Sequence, residues 1–192
     1  MYMHKKYIGI VLIAMMFLLP VAFAAEEDTM TVTATTNYYD VTLYEDDGST
    51  PYTTWAVGAV EPSSENIMSN TECIAVKNTG NVACDFQIKL TNPANWTVSN
   101  SAVGEDQFVL MGIFCANNTA SVVADNFVEA NDHINTDYIT ATATVFAGDT
   151  DGASVAPNAI VYLYLDFLAP SSQSAAHGQQ TITVTIKATT AA

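Results

Sequence analysis

Residues 72–90, Glu72-Cys73-Ile74-Ala75-Val76-Lys77-Asn78-Thr79-Gly80-Asn81-Val82-Ala83-Cys84-Asp85-Phe86-Gln87-Ile88-Lys89-Leu90, decide the fold class. Ile74 and Val76 share one side of an extended chain. Val82, Cys84, Phe86, Ile88 and Leu90 share one side of the next, with Asp85, Gln87 and Lys89 opposite. A period of two belongs to strands with one buried face, and Asn78-Thr79-Gly80-Asn81 between them is turn chemistry. The unit is a strand–turn–strand, either a plain hairpin or a connection between two sheets.

The same alternation recurs outward from this unit. It is read at Thr29-Met30-Thr31-Val32-Thr33-Ala34-Thr35 and at residues 39–44, and further strands are read at 52–60, 95–99, 107–115, 137–147, 159–168 and 179–189. Asp46-Asp47-Gly48-Ser49, Glu61-Pro62-Ser63-Ser64, Asp149-Thr150-Asp151-Gly152 and Pro170-Ser171-Ser172 separate these runs. No stretch sustains a 3.6-residue period, and only 121–130 suits a short helical turn. Eight to ten short strands with such turns predict an all-β fold, a single antiparallel β-sandwich of jelly-roll or Ig-like type.

The first 24 residues read differently. Lys5 and Lys6 precede an apolar run from Tyr7 to Leu19, then Pro20 and Ala22-Phe23-Ala24. That is the pattern of a secretory signal peptide cleaved after Ala24, and the run is shorter than the roughly 20 residues of a membrane span. The expected product is a secreted, extracellular or cell-surface protein with no membrane insertion after processing. Residues 25–36 form its first strand and 37–192 its sandwich. Beyond Ala24 stand all 20 acids, three lysines (Lys77, Lys89, Lys187) and no arginine, an excess of 17 negative charges. Such a chain has almost nothing to neutralise phosphates, which excludes a nucleic-acid partner and disfavours anionic lipid. An apolar content of 49% argues against disorder.

The run Ala75-Val76-Lys77-Asn78-Thr79-Gly80-Asn81-Val82, the later Asn95-Trp96 pair and the closing residues 180–188 resemble TasA/camelysin-like secreted β-sandwich fibre proteins of biofilms and related bacterial and archaeal Ig-like surface domains. The resemblance covers about half the chain and concerns a fold motif. It implies an exported jelly-roll subunit that polymerises with copies of itself by donating an N-terminal strand. The matching donor here is Thr29-Met30-Thr31-Val32-Thr33-Ala34-Thr35-Thr36, with Met30, Val32 and Ala34 entering the neighbour. An edge strand's unpaired N–H and C=O groups are what such a donor completes. The alternative is that this segment pairs within its own chain.

Chemistry-bearing motifs are sparse. His133 and His177 lie in polar loops and read as solvated residues; no nucleophile elbow, zinc-protease helix or phosphate loop accompanies them. No catalytic residues are expected. No cofactor is expected, with calcium as the alternative: Asp149-x-Asp151-Gly152 contains the core of an oxygen-ligand loop, and Asp46-Asp47-Gly48 a looser one. Ala147 and Asn158 stand where further ligands belong, and Asp-Gly is ordinary turn chemistry. Cys73, Cys84 and Cys115 allow one disulfide with one thiol left over, three buried thiols, or an intermolecular bridge. With a hairpin turning at Thr79-Gly80, Cys73 falls opposite Phe86, which makes Cys115 the better partner for one of them. Asn95-Trp96-Thr97 and Asn117-Asn118-Thr119 are sequons. Trp55 and Trp96 suit a core or a sugar platform. On 159–168 one face (Val161, Leu163, Leu165, Phe167) is apolar, so Ile160, Tyr162 and Tyr164 face outward or toward another layer or subunit, as an interface would. Together these readings predict a non-enzymatic extracellular structural protein, the subunit of a filament or surface layer. The alternative is a secreted adhesin or carbohydrate-binding module.

Overall fold

The structure, a computed structural model, describes residues 30–192. The predicted leader and Thr29 lie outside the described residues. The chain divides into two units, 1–35 and 36–192. In the first, residues 30–35 are exposed and join no ladder.

The second unit is an all-β sandwich with nine strands: β1 (Val41–Tyr44), β2 (Glu65–Ile67), β3 (Ile74–Asn78), β4 (Cys84–Thr91), β5 (Thr97–Val98), β6 (Gln107–Cys115), β7 (Ile139–Thr140), β8 (Ile160–Leu168) and β9 (Thr183–Thr190). One sheet has the order β1-β3-β8-β6-β5, with β2 pairing the far end of β8. The other has the order β7-β4-β9. Every named pairing is antiparallel except β5 with β6. A 3-10 turn (Ala124–Asn126) and a four-residue helix, α1 (Glu129–Asp132), fall where the sequence allowed a helical turn.

The deciding segment is the connection between sheets, not a hairpin. β3 joins the larger sheet and β4 the smaller. The reason lies in Asn78, which is fully buried. Its Nδ2 donates to the carbonyls of Val82 and Val155, and its Oδ1 accepts from Gly80 N–H. These bonds spend the turn's polar groups on a crossover and carry β4 over to the opposite layer. Phe86 of β4 then meets Phe114 of β6, ring centroids 5.9 Å apart. Phe86, Ile88, Leu90, Val76, Leu163, Leu165, Phe167 and Phe114 form the inner core. Each such side chain contributes about 1.5–3 kcal/mol when fully buried.

Two predicted strands are not strands. Residues 52–60 pack Tyr52, Trp55, Val57 and Val60 against the core without a ladder. Pro51 has no N–H to give, and Gly58 takes φ +82°, which an extended strand does not use. Within 137–147 only β7 forms. A turn at Thr142–Val145 and a left-handed Phe146 (φ +56°) then deliver that ring into the core. Asp85 lies on the outer face of β4 as the alternation predicts, but it is buried, because Ser154 N–H and Ala192 N–H donate to its two oxygens.

Candidate functional site

The smaller sheet leaves one long edge open. The N–H groups of Cys84, Phe86 and Leu90 donate to Val155, Gly152 and Asn135, away from β9. The β4–β9 ladder therefore runs through the pairs Asp85–Thr189, Gln87–Lys187, Lys89–Thr185 and Thr91–Thr183. Bonded pairs alternate along an antiparallel ladder, so Val184, Ile186 and Ala188 turn their N–H and C=O groups the other way. Among the described residues no strand pairs with that edge. Their side chains point into the sandwich, where β9 faces β1. Val184, Ile186 and Ala188 on one side, with Val41 and Leu43 on the other, are only half-buried against the core. The seam thus lacks, among the described residues, two things an added strand supplies: backbone partners, and alternating apolar side chains to close the core.

The N-terminal arm has the complementary character. Met30 is 85% exposed and Val32 77%, and every residue from 30 to 40 is exposed. The root of the arm is fixed by the Asn78–Asn81 turn. Thr79 N–H donates to Asp40 O, Asn81 N–H to Tyr38 O, Tyr38 N–H to Asn81 Oδ1, and Asn81 Nδ2 to Thr36 O. Gly80 is required here, since a Cβ would lie 2.6 Å from Tyr38 O. The motif that carried the sequence resemblance therefore does two jobs: it crosses between sheets and holds residues 36–40.

The other predicted residues scatter. Tyr164 does not belong to an exposed row: it is fully buried, and Ile160 and Tyr162 are half-buried. Two loops cover that face. Tyr164 Oη donates to Asn117 O at 3.5 Å, Asn118 Nδ2 donates to Asp46 O, and Gly48 packs close to Ile160. All three cysteines are buried free thiols. Cys84 sits in the smaller sheet. β8 separates β3, which Cys73 precedes, from Cys115 at the end of β6, and two strand spacings of roughly 4.8 Å exceed the reach of a disulfide. Burial raises all three thiols, Cys84 and Cys115 to about 11, which keeps them from forming thiolates.

Asp149 Oδ1 accepts Ala116 N–H and Asp151 Oδ1 accepts Ala153 N–H. Gly152 of this motif has a packing reason: a Cβ there would lie 2.5 Å from Phe114 Cε2. Among the described residues no group of three or more His, Cys, Asp and Glu could hold a metal ion. Asp47 likewise closes its own turn through Ser49 N–H, Thr50 N–H and Thr50 Oγ1, which pull its carboxyl down to about 2.

Neither histidine is a freely solvated loop residue. His133 is buried at the end of α1, beside Met111 of β6, and its Nε2 has no partner among the described residues. His177 Nε2 lies 3.0 Å from Asp106 Oδ1, and Ser174 donates both N–H and Oγ–H to the same carboxylate. Here the serine proton goes to the carboxylate rather than the imidazole, so the trio clamps the 171–178 loop instead of activating a hydroxyl. Trp96 is core, its ring stacked 6.3 Å from Phe167. Trp55 packs half-buried against the core. The sequon asparagines Asn95 and Asn117 are both exposed.

Two features escaped the sequence reading. Tyr138 carries Lys89 and Lys187 over its ring. Asp166 is completely buried, with no donor to either oxygen among the described residues. The alternation could have flagged the first, since Lys89 was already placed on the outer face. No helix among the described residues is long and apolar enough to cross a membrane. No family model matches the chain, and no curated protein or solved structure matches it.

Proposed function

We propose that this protein is an exported, non-enzymatic structural subunit that polymerises by strand complementation into an extracellular filament or surface layer, as the TasA-like resemblance implies. The donor is 29–36 of one copy and the acceptor is the β9 edge of the next. The open β9 edge carries the reading: the N–H and C=O groups of Val184, Ile186 and Ala188, unpaired among the described residues, stand above a half-closed core seam. A bare edge of eight residues is a liability in a monomer and an asset in a polymer. The exposed Met30 and Val32 supply side chains at the spacing the seam accepts. Each ladder bond gained contributes about 0.5–1.5 kcal/mol net, so several in register with apolar burial make a durable joint.

Electron microscopy of the processed protein tests this directly. Filaments or sheets are expected from the intact chain and none from a chain lacking 25–36. A peptide of residues 29–36 should bind the truncated protein and raise its melting temperature. Monomer-sized particles from the intact chain at high concentration, with no response to the peptide, would overturn the proposal.

A further inference from the structure

Positive charge is scarce in this protein, and its placement is uneven. Lys77 stands on β3 of the larger sheet. Lys89 on β4 and Lys187 on β9 share the outer face of the smaller one, where their Nζ atoms lie 4.6 and 5.3 Å from the centroid of the Tyr138 ring. Tyr138 is exposed. Among the described residues the one ion pair is His177–Asp106, so neither lysine has a carboxylate partner there despite 20 acids in the chain. Asp85, on the same face of β4, is occupied by two backbone N–H groups. Asp137 adjoins Tyr138 and is exposed. The remainder of the face is hydrogen-bonding: Gln87 lies opposite both Lys187 and Thr140, donating to Thr140 Oγ1, and Thr185 lies opposite Lys89.

We propose that the Lys89–Tyr138–Lys187 face is a binding site for a carboxylate-bearing polysaccharide, a chain of uronic acid residues. The ammonium groups take the carboxylates. The tyrosine ring takes the C–H face of a sugar, and Gln87 and the threonines meet its hydroxyls. Two ammonium groups beside an exposed aromatic ring, with amide and hydroxyl side chains around them, suit a hydrated, carboxylate-bearing polyhydroxylated chain. At physiological salt the Debye length is about 8 Å, so acids elsewhere on the molecule are screened from this face while the two lysines act at contact. The inference does not rest on polymerisation.

The test uses the processed protein and three probes, polygalacturonate, neutral dextran and polyglutamate, with affinity measured at 20 and 300 mM salt. Polygalacturonate should bind and dextran should not. K89Q/K187Q should weaken binding at least tenfold, and Tyr138→Leu severalfold, with unchanged melting temperatures. Lys77→Gln should leave affinity intact. Absence of polygalacturonate binding at low salt would overturn the proposal, as would an equal loss from Lys77→Gln. Polyglutamate binding as tightly, insensitive to Tyr138→Leu, would also overturn it in favour of an acidic protein partner.

Discussion

Asp166 is the least expected residue in the molecule. It sits mid-strand on β8, between Ile67 of β2 and Met111 of β6, with the Glu65 carboxyl beside it. Burial first, then the nearby Glu65 charge, raise its carboxyl to about 7. Buried and near a second carboxyl, Asp166 keeps its proton to a higher pH than an exposed aspartate does. The unfolded chain releases that proton near pH 4 and the folded chain near pH 7, so stability falls as pH rises through this window and stays low above it. Asp166→Asn should flatten that fall and make the protein more stable than wild type at pH 8, by on the order of 2–4 kcal/mol. Thermal melts at pH 5 and pH 8 measure both. Gly152 gives a second residue-scale expectation. Gly152→Ala pushes a methyl into Phe114 and should cost about 1–3 kcal/mol, with no recovery in millimolar calcium. A calcium-dependent melting temperature would show that Asp149 and Asp151 do more than close a turn. Neither role was legible from pattern: an aspartate in the outer row of a strand reads as solvated, and a glycine after two aspartates reads as a turn or a metal loop, not as a packing position.

At the scale of the element, the direction of the β9 backbone separates folding from assembly. Ala188 N–H faces the open edge and Lys187 N–H faces β4. Ala188→Pro should leave the domain folded and abolish filaments, since it removes a donor that only an incoming strand uses. Lys187→Pro breaks the β4–β9 ladder and should lower stability by about 3 kcal/mol or more. Circular dichroism and microscopy of the two variants distinguish these effects. Where the apolar or alternating run was long and uninterrupted, as in 107–115 and 159–168, the strands were legible almost to the residue. Pattern misled at 52–60, where apolar residues reach the core from an irregular path. Packing demands only that side chains point inward, while a ladder also demands a partner strand alongside.

For the whole molecule, the net charge of −15 gives the two proposed activities opposite salt dependences. Copies that repel should assemble faster as ionic strength screens them, and uronate binding through two lysines should weaken. Light scattering and affinity measured together between 20 and 300 mM salt should move in opposite directions. If both weakened with salt, assembly would rest on charge attraction rather than on the β9 seam.

The alternation and turn residues determined by themselves that this chain makes an all-β sandwich, because a period of two admits only strands with one buried face. Composition determined its charge, and the sparing lysines limited what it can attract. Only the tertiary structure decided that 72–90 crosses between sheets, because that choice rests on Asn78 bonding to Val155, 77 residues away. Only it decided that Tyr164 is inside, because two loops cover a face that local pattern turns outward or toward another layer or subunit. The open edge of β9 is likewise a property of sheet order. No sequence position records which strand has no neighbour; that is fixed when the last strand finds its place.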